Sequence, residues 1–72
     1  MIKLYTLGCP DCNRVKDMLD KAHITYETIE NEGLVLEEAK KYSMNAVPFA
    51  IVDGEVYNSS GIKKYIYEHK EN

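Results

Sequence analysis

The sequence predicts an α/β sandwich of minimal size, a four-stranded mixed sheet with three helices in the order β-α-β-α-β-β-α. Three observations predict it. Apolar residues switch along the chain between two-residue alternation and helical spacing. The dipeptide Asp53-Gly54 stands between two short apolar runs, where a hairpin turn belongs. Finally, 72 residues allow one domain, residues 1–72, with short connections and a small core.

Residues 2–7, IKLYTL, begin with apolar-polar alternation and β-favouring residue types, which predicts a strand ending at Gly8. From Pro10 the period changes. Cys12, Val15, Leu19 and Ala22 recur at helical spacing with Met18 alongside, while Asn13, Arg14, Lys16, Asp17 and Lys21 take the other face, so residues 10–22 form an amphipathic helix. Residues 24–30, ITYETIE, carry the β-branched types of a second strand. Gly33 punctuates the chain before a helix over 34–43, with Val35, Leu36, Ala39 and Tyr42 on its packed side and Glu37 and Lys41 paired four apart. A strand over 48–52, the Asp53-Gly54 turn and a strand over 55–57 complete the hairpin. The final segment, SSGIKKYIYEHK, resumes helical spacing through Ile62, Tyr65, Ile66 and His69, with Ser59 or Ser60 as its N-cap. Tyr26, Tyr42 and Tyr65 fall where side chains pack against the sheet.

A net charge of -3 leaves no basic stripe to neutralise phosphates, which argues against a nucleic-acid or anionic-membrane partner. No apolar run approaches the length of a membrane span. The start MIKLYTLG lacks the long apolar region and cleavage site of a secretory leader. The expected location is the cytoplasm, where structural disulfides are rare and a C-x-x-C pair is catalytic or metal-binding more often than structural.

That pair is Cys9-Pro10-Asp11-Cys12. With Cys9 as N-cap, Pro10 becomes the first helical residue, where its missing N–H does no harm, and Cys12 the third. Both sulfurs then stand at the positive end of the helix dipole. A Cys9 thiolate there would meet unpaired backbone N–H groups, lowering its pKa below the free value and making Cys9 the nucleophile. Cys12 shares the apolar face with Val15 and Leu19 and becomes the resolving partner. The chemistry permitted is thiol–disulfide exchange through a mixed disulfide. Asp11 opposes thiolate formation by its charge and so tunes the couple towards a more reducing potential, unless it is a solvated helix-start residue of little influence. Metal binding, by Cys9 and Cys12 with His23 or His69 or by a cluster shared between chains, is an open alternative. A redox-inert interaction module is another.

Three segments, YTLGCPDC, YSMNAVPFAIVDGE and SSGIKKYI, resemble the glutaredoxin and thioredoxin superfamily, and the order of elements is that of the thioredoxin fold. The resemblance implies a glutaredoxin-like small dithiol redoxin, an electron-transport enzyme with no tightly bound cofactor that acts as a monomer on protein disulfides. It implies that Val47-Pro48 is the family's cis-proline bond, beside the cysteines, and that the Val47 backbone pairs with an extended substrate segment. Tyr5 would lie near the active-site loop and flank the substrate. Departures also matter. The neighbourhoods that hold glutathione in glutaredoxins, a Lys before the first cysteine and a Gly-Gly pair opening the last helix, here read TLG and YNSSG. The loop before Cys9 is a residue short. Ser59 and Ser60 hydroxyls with the helix amides could still hold an anion. The stretch around Ser59, Ser60 and Gly61 instead resembles the NrdH-type redoxins, which take electrons from thioredoxin reductase and pass them to ribonucleotide reductase. Glutathione and thioredoxin reductase both stand as electron sources.

Overall fold

Strand-forming and helix-forming patterns alternate along the chain, and the computed structural model, which describes residues 2–69, realises each of them in the expected order. The strands are β1 (Ile2–Tyr5), β2 (Tyr26–Ile29), β3 (Phe49–Val52) and β4 (Glu55–Tyr57); the helices are α1 (Pro10–Lys21), α2 (Glu32–Lys41) and α3 (Ser59–His69). Met1 and the extension of the last helix to Lys70 lie outside the described residues. The sheet order is β2-β1-β3-β4. β1 runs parallel to β2 and antiparallel to β3, and β3 pairs antiparallel with β4. Leu4, at the centre, is paired with Thr28 on one side and Ala50 on the other and is fully buried.

Alternation along β1 sends neighbouring side chains to opposite faces of the sheet. Ile2 and Leu4 join Val15, Leu19, Ala22, Ala50, Ile62 and Ile66 in one core cluster, under α1 and α3. Tyr5 joins Val35 and Phe49 in a second, under α2. The stripe Cys12, Val15, Leu19 and Ala22 is buried throughout, as its spacing requires. Tyr26 and Tyr65 pack at the edge of the first cluster.

The element ends differ from expectation for local reasons. β1 stops at Tyr5 although the buried Thr6 still donates its N–H to the Ile29 carbonyl at 3.1 Å; Leu7, read as strand, turns outward. β2 begins two residues later than the apolar pattern suggests, because Ile24 is held by the turn that closes α1, donating its N–H to the Leu19 carbonyl at 3.1 Å. α2 begins before Gly33, since Asn31 caps it by accepting the Leu34 N–H at 3.1 Å. Leu36 does not share the packed side of α2: it is 56% exposed, while Val35 is fully buried, because adjacent helical residues point about 100° apart. α3 is capped by Asn58, not by Ser59 or Ser60; its side chain accepts the Gly61 N–H at 2.7 Å and its carbonyl the Ile62 N–H at 2.8 Å. The β3–β4 turn has φ of 50° at Asp53 and 85° at Gly54, the positive pair that a two-residue hairpin loop demands.

Candidate active site

The N-terminal ends of α1 and α3 and the loop before β3 meet at one corner of the molecule. Cys9 is the N-cap of α1, with extended backbone, and its sulfur accepts the Cys12 N–H at 3.1 Å. Pro10 follows as the first helical residue, so the turn is built from a residue that lacks an N–H where none is needed. Cys9 and Cys12 form a disulfide across a Cα separation of 5.0 Å. The two sulfurs are not equivalent. Cys9 is half-buried at the surface, whereas Cys12 is fully buried on the inner face of α1 with Val15 and Leu19.

The Val47–Pro48 peptide bond is cis, and the Val47 carbonyl oxygen lies 3.9 Å from the Cys9 sulfur, across 38 residues of sequence. Pro48 is buried and Val47 half-buried. Beside them runs an open groove of about 340 Å³, lined by residues 43–48 and 58–60. Ser59 and Ser60 are therefore on its wall. Gly61 follows in the first turn of α3, where an added Cβ would stand 3.2 Å from the capping oxygen of Asn58 and 3.3 Å from the Tyr57 ring.

Asp11 is not an isolated solvated carboxylate. It accepts a hydrogen bond from the Ser59 hydroxyl and an ion-pair contact from Lys63 Nζ at 3.0 Å. The Ser59 hydrogen bond first, and the Lys63 ammonium second, hold its carboxyl below the usual aspartate range. Sequence reasoning missed both partners, because 48 and 52 residues separate them from Asp11. The signal, a hydroxyl and a lysine four residues apart opening α3, is too common to read alone. One consequence is that the Ser59 hydroxyl, expected to be available to an anion, is already committed to Asp11.

Tyr5 belongs to the cluster against which Val47 packs, but it is buried and does not line the groove beside Pro48. It stacks on Phe49 with ring centroids 4.7 Å apart and planes 4° from parallel, on the α2 side of the sheet, and it lines a different cleft with Lys3, Glu38 and Tyr42. The period of two explains this: α1 covers the face of Leu4, so its neighbour Tyr5 faces away. His23 and His69 are exposed; His23 follows the C-terminal end of α1 and His69 ends α3, so each stands at the end of its helix away from the corner that holds Cys9. Among the described residues no group of three or more His, Cys, Asp or Glu side chains is gathered in a way that could hold a metal ion. No helix among them is long and apolar enough to cross a membrane.

A mixed four-stranded sheet with a C-x-x-C pair at the start of α1, facing a cis-proline loop, defines a thioredoxin-like redoxin. The glutaredoxin family model matches residues 2–57, and the chain belongs to the glutaredoxin family, a family of thiol–disulfide oxidoreductases. Glutaredoxin 1 of Rickettsia prowazekii (strain Madrid E) is 45% identical over 42 residues, which cover 57% of this chain and 44% of that protein. The matched stretch thus spans less than half of that curated relative. Among solved structures, a thioredoxin-like protein is 28% identical with a TM-score of 0.74, covering 90% of this chain and 94% of its own. The glutaredoxin-like NrdH-redoxin of Escherichia coli shares the fold at 17% identity, with a TM-score of 0.79 over 99% of this chain and 96% of its own.

Proposed function

We propose that this chain reduces disulfides in protein substrates, with Cys9 as nucleophile and Cys12 as resolving residue. The observation that carries the reading is the asymmetry of the pair: Cys9 is half-buried at the helix cap beside the groove, and Cys12 is fully buried in the same turn. In the reduced protein the Cys9 thiolate attacks one sulfur of a substrate disulfide. The second substrate sulfur leaves as a thiolate and takes a proton, and Cys9 is left in a mixed disulfide. Cys12 then loses its proton and attacks the Cys9 sulfur, releasing the substrate as a dithiol and leaving the Cys9–Cys12 disulfide. Two electrons pass to the substrate.

The Cys12 N–H, already directed at the Cys9 sulfur, would stabilise its thiolate, as would the dipole of α1. The Val47 backbone, beside that sulfur, would hold an extended substrate segment in strand-like fashion, with Pro48 and the groove walls at Ser59 and Ser60 shaping its path and Gly61 letting the first turn of α3 close against Asn58 and Tyr57. Of the two electron sources, the groove favours thioredoxin reductase over glutathione. None of its lining residues is Lys or Arg, the Ser59 hydroxyl is engaged by Asp11, and glutathione would bring two carboxylates into it. Among protein disulfides, that of ribonucleotide reductase is the one the resemblance to NrdH-type redoxins suggests. The reading takes residues 1–72 as one domain, monomeric and cytoplasmic, with no tightly bound cofactor.

The test is to oxidise the protein and follow its reduction in parallel by glutathione with glutathione reductase and by thioredoxin reductase with NADPH. Faster turnover with thioredoxin reductase is expected. Faster turnover with glutathione would overturn the assignment of the electron source, and no reduction of a peptide disulfide by the reduced protein would overturn the activity.

A further inference from the structure

Thiolate formation at Cys9 is an electrostatic event at a corner where three elements meet, so the fixed charges there decide how readily it occurs. Asp11 is the only acidic residue in the first turn of α1. It lies two residues from Cys9 and next to Cys12. Left alone, its negative charge would oppose a second negative charge on the sulfur. It is not left alone, because Lys63 reaches over from the first turns of α3 to within 3.0 Å of it, and Ser59 donates from the start of the same helix. The charged groups that bear on Asp11 are Lys63 from α3 and Arg14 from α1; the loop 43–48, the third element of the corner, contains no charged residue.

We infer that Lys63 is a positioning residue for the redox reaction: through its ion pair with Asp11 it cancels the carboxylate's charge at the cysteine pair and holds that carboxylate against α3, so that the Cys9 thiolate forms as easily as it would beside a neutral residue. This rests on the proposed role of Cys9 as nucleophile. Reduction of the disulfide takes up two electrons and two protons; at a pH above the Cys9 pKa one of those protons is given back to solvent, and the resulting thiolate is the species whose stability the pair controls. The oxidised disulfide carries no charge and is indifferent to it. Lys63 and Asp11 therefore act on the reduced state alone, Lys63 stabilising its thiolate and Asp11 opposing it.

The inference makes a prediction about sign that a purely structural clamp does not. Lys63→Met keeps the aliphatic stem and removes the ion-pair partner of Asp11, leaving Ser59 and the more distant Arg14, so the Cys9 pKa should rise and the thiolate-to-thiol ratio fall by about threefold, the size of one partly screened unit charge acting across several ångströms of wet surface. Asp11→Asn leaves Lys63 uncompensated and should shift the ratio by a similar factor the other way. The double variant should return close to the parent, and Lys63→Arg should leave it unmoved. At a pH where Cys9 is ionised, the reduction potential should fall in Lys63→Met and rise in Asp11→Asn. Both single shifts should shrink as salt is raised towards 1 M.

The experiment measures the rate of alkylation of the reduced protein by iodoacetamide against pH, with mass spectrometry to locate the label, and equilibrates each variant with a dithiol redox buffer. Opposite shifts in the two single variants that cancel in the double support the inference. Label on Cys9 with an unmoved pKa and potential in Lys63→Met, or shifts of one sign in both single variants, overturns it while leaving the nucleophile in place. Label falling first on Cys12 overturns the nucleophile assignment and the inference with it.

Discussion

A sulfur at a helix N-cap faces backbone N–H groups that have no partner inside the helix, and a carboxylate in the same turn meets the same positive end. Cys9 and Asp11 occupy these two places, and each is held by a specific contact: Cys9 by the Cys12 N–H, Asp11 by Ser59 and Lys63. The first was legible in the sequence, because C-P-x-C before a helical stripe fixes cap, first-turn proline and buried cysteine by counting alone. The second was not, since nothing in the local pattern indicates which distant cation will face Asp11. Another single-residue contact yields a test of pH dependence. The Tyr26 hydroxyl donates to Asp20 at 2.9 Å, and burial first, then that carboxylate, pushes its pKa up to about 12 from an ordinary value of 10.0. Between these values the unfolded chain gives up a proton that the folded one keeps, so stability is intact below pH 10 and falls as pH rises towards 12. Burial also raises Tyr5 and Tyr57, so the comparison must isolate one ring. Tyr26→Phe should flatten part of the alkaline loss, read as the difference in denaturation midpoint between pH 9 and pH 11.

At the scale of elements, the start of α1 could be read to the residue, whereas the start of α2, the cap of α3 and the ends of α1 and α2 could not. α1 and α2 each close with the same pair of hydrogen bonds. His23 and Ile24 donate back to Asp20 and Leu19; Ser43 and Met44 donate back to Lys40 and Ala39. These are Schellman caps, and they place His23 and Ser43 in the left-handed region, at φ of 58° and 57°. Glycine is the usual residue there; without it at either position the pattern runs the helices on to residues 22 and 43, past the observed ends at Lys21 and Lys41. The same geometry explains why Ile24 and Met44, immediately after the caps, fold back onto the two core clusters. His23→Gly should therefore stabilise the domain by about 0.5–1 kcal/mol, the relief of a left-handed side chain less the entropy glycine gives the unfolded chain. Asn31→Ala should remove the α2 cap and lower stability by about 1 kcal/mol. Chemical denaturation of each variant checks both.

For the whole molecule, a small core must hold three segments, the two helix starts and the proline loop, in one register. Leu19 is fully buried at the centre of the first cluster, between α1 and the sheet. Leu19→Ala should cost about 3 kcal/mol, a large share of the roughly 5 kcal/mol available to a domain this small, and a far lower thermal midpoint is the expected result. The order of strands and helices was legible because each hydrophobic period matched its element and the Asp53-Gly54 turn fixed the hairpin. The meeting of α1, α3 and the 43–48 loop was not legible from spacing. It follows from the mixed sheet order, which lays β1 against β3 and so brings Cys9 to within 3.9 Å of the Val47 carbonyl. The central claim, that this corner works as a two-electron exchanger in which Cys9 attacks and Cys12 resolves, is tested most directly by trapping. Reduced Cys12→Ser protein mixed with a peptide disulfide should accumulate a covalent adduct through Cys9, visible by mass spectrometry and released by excess dithiol, while Cys9→Ser should form none and lose turnover. An adduct through Cys12 in the Cys9→Ser protein, with none through Cys9 in the Cys12→Ser protein, would contradict the account.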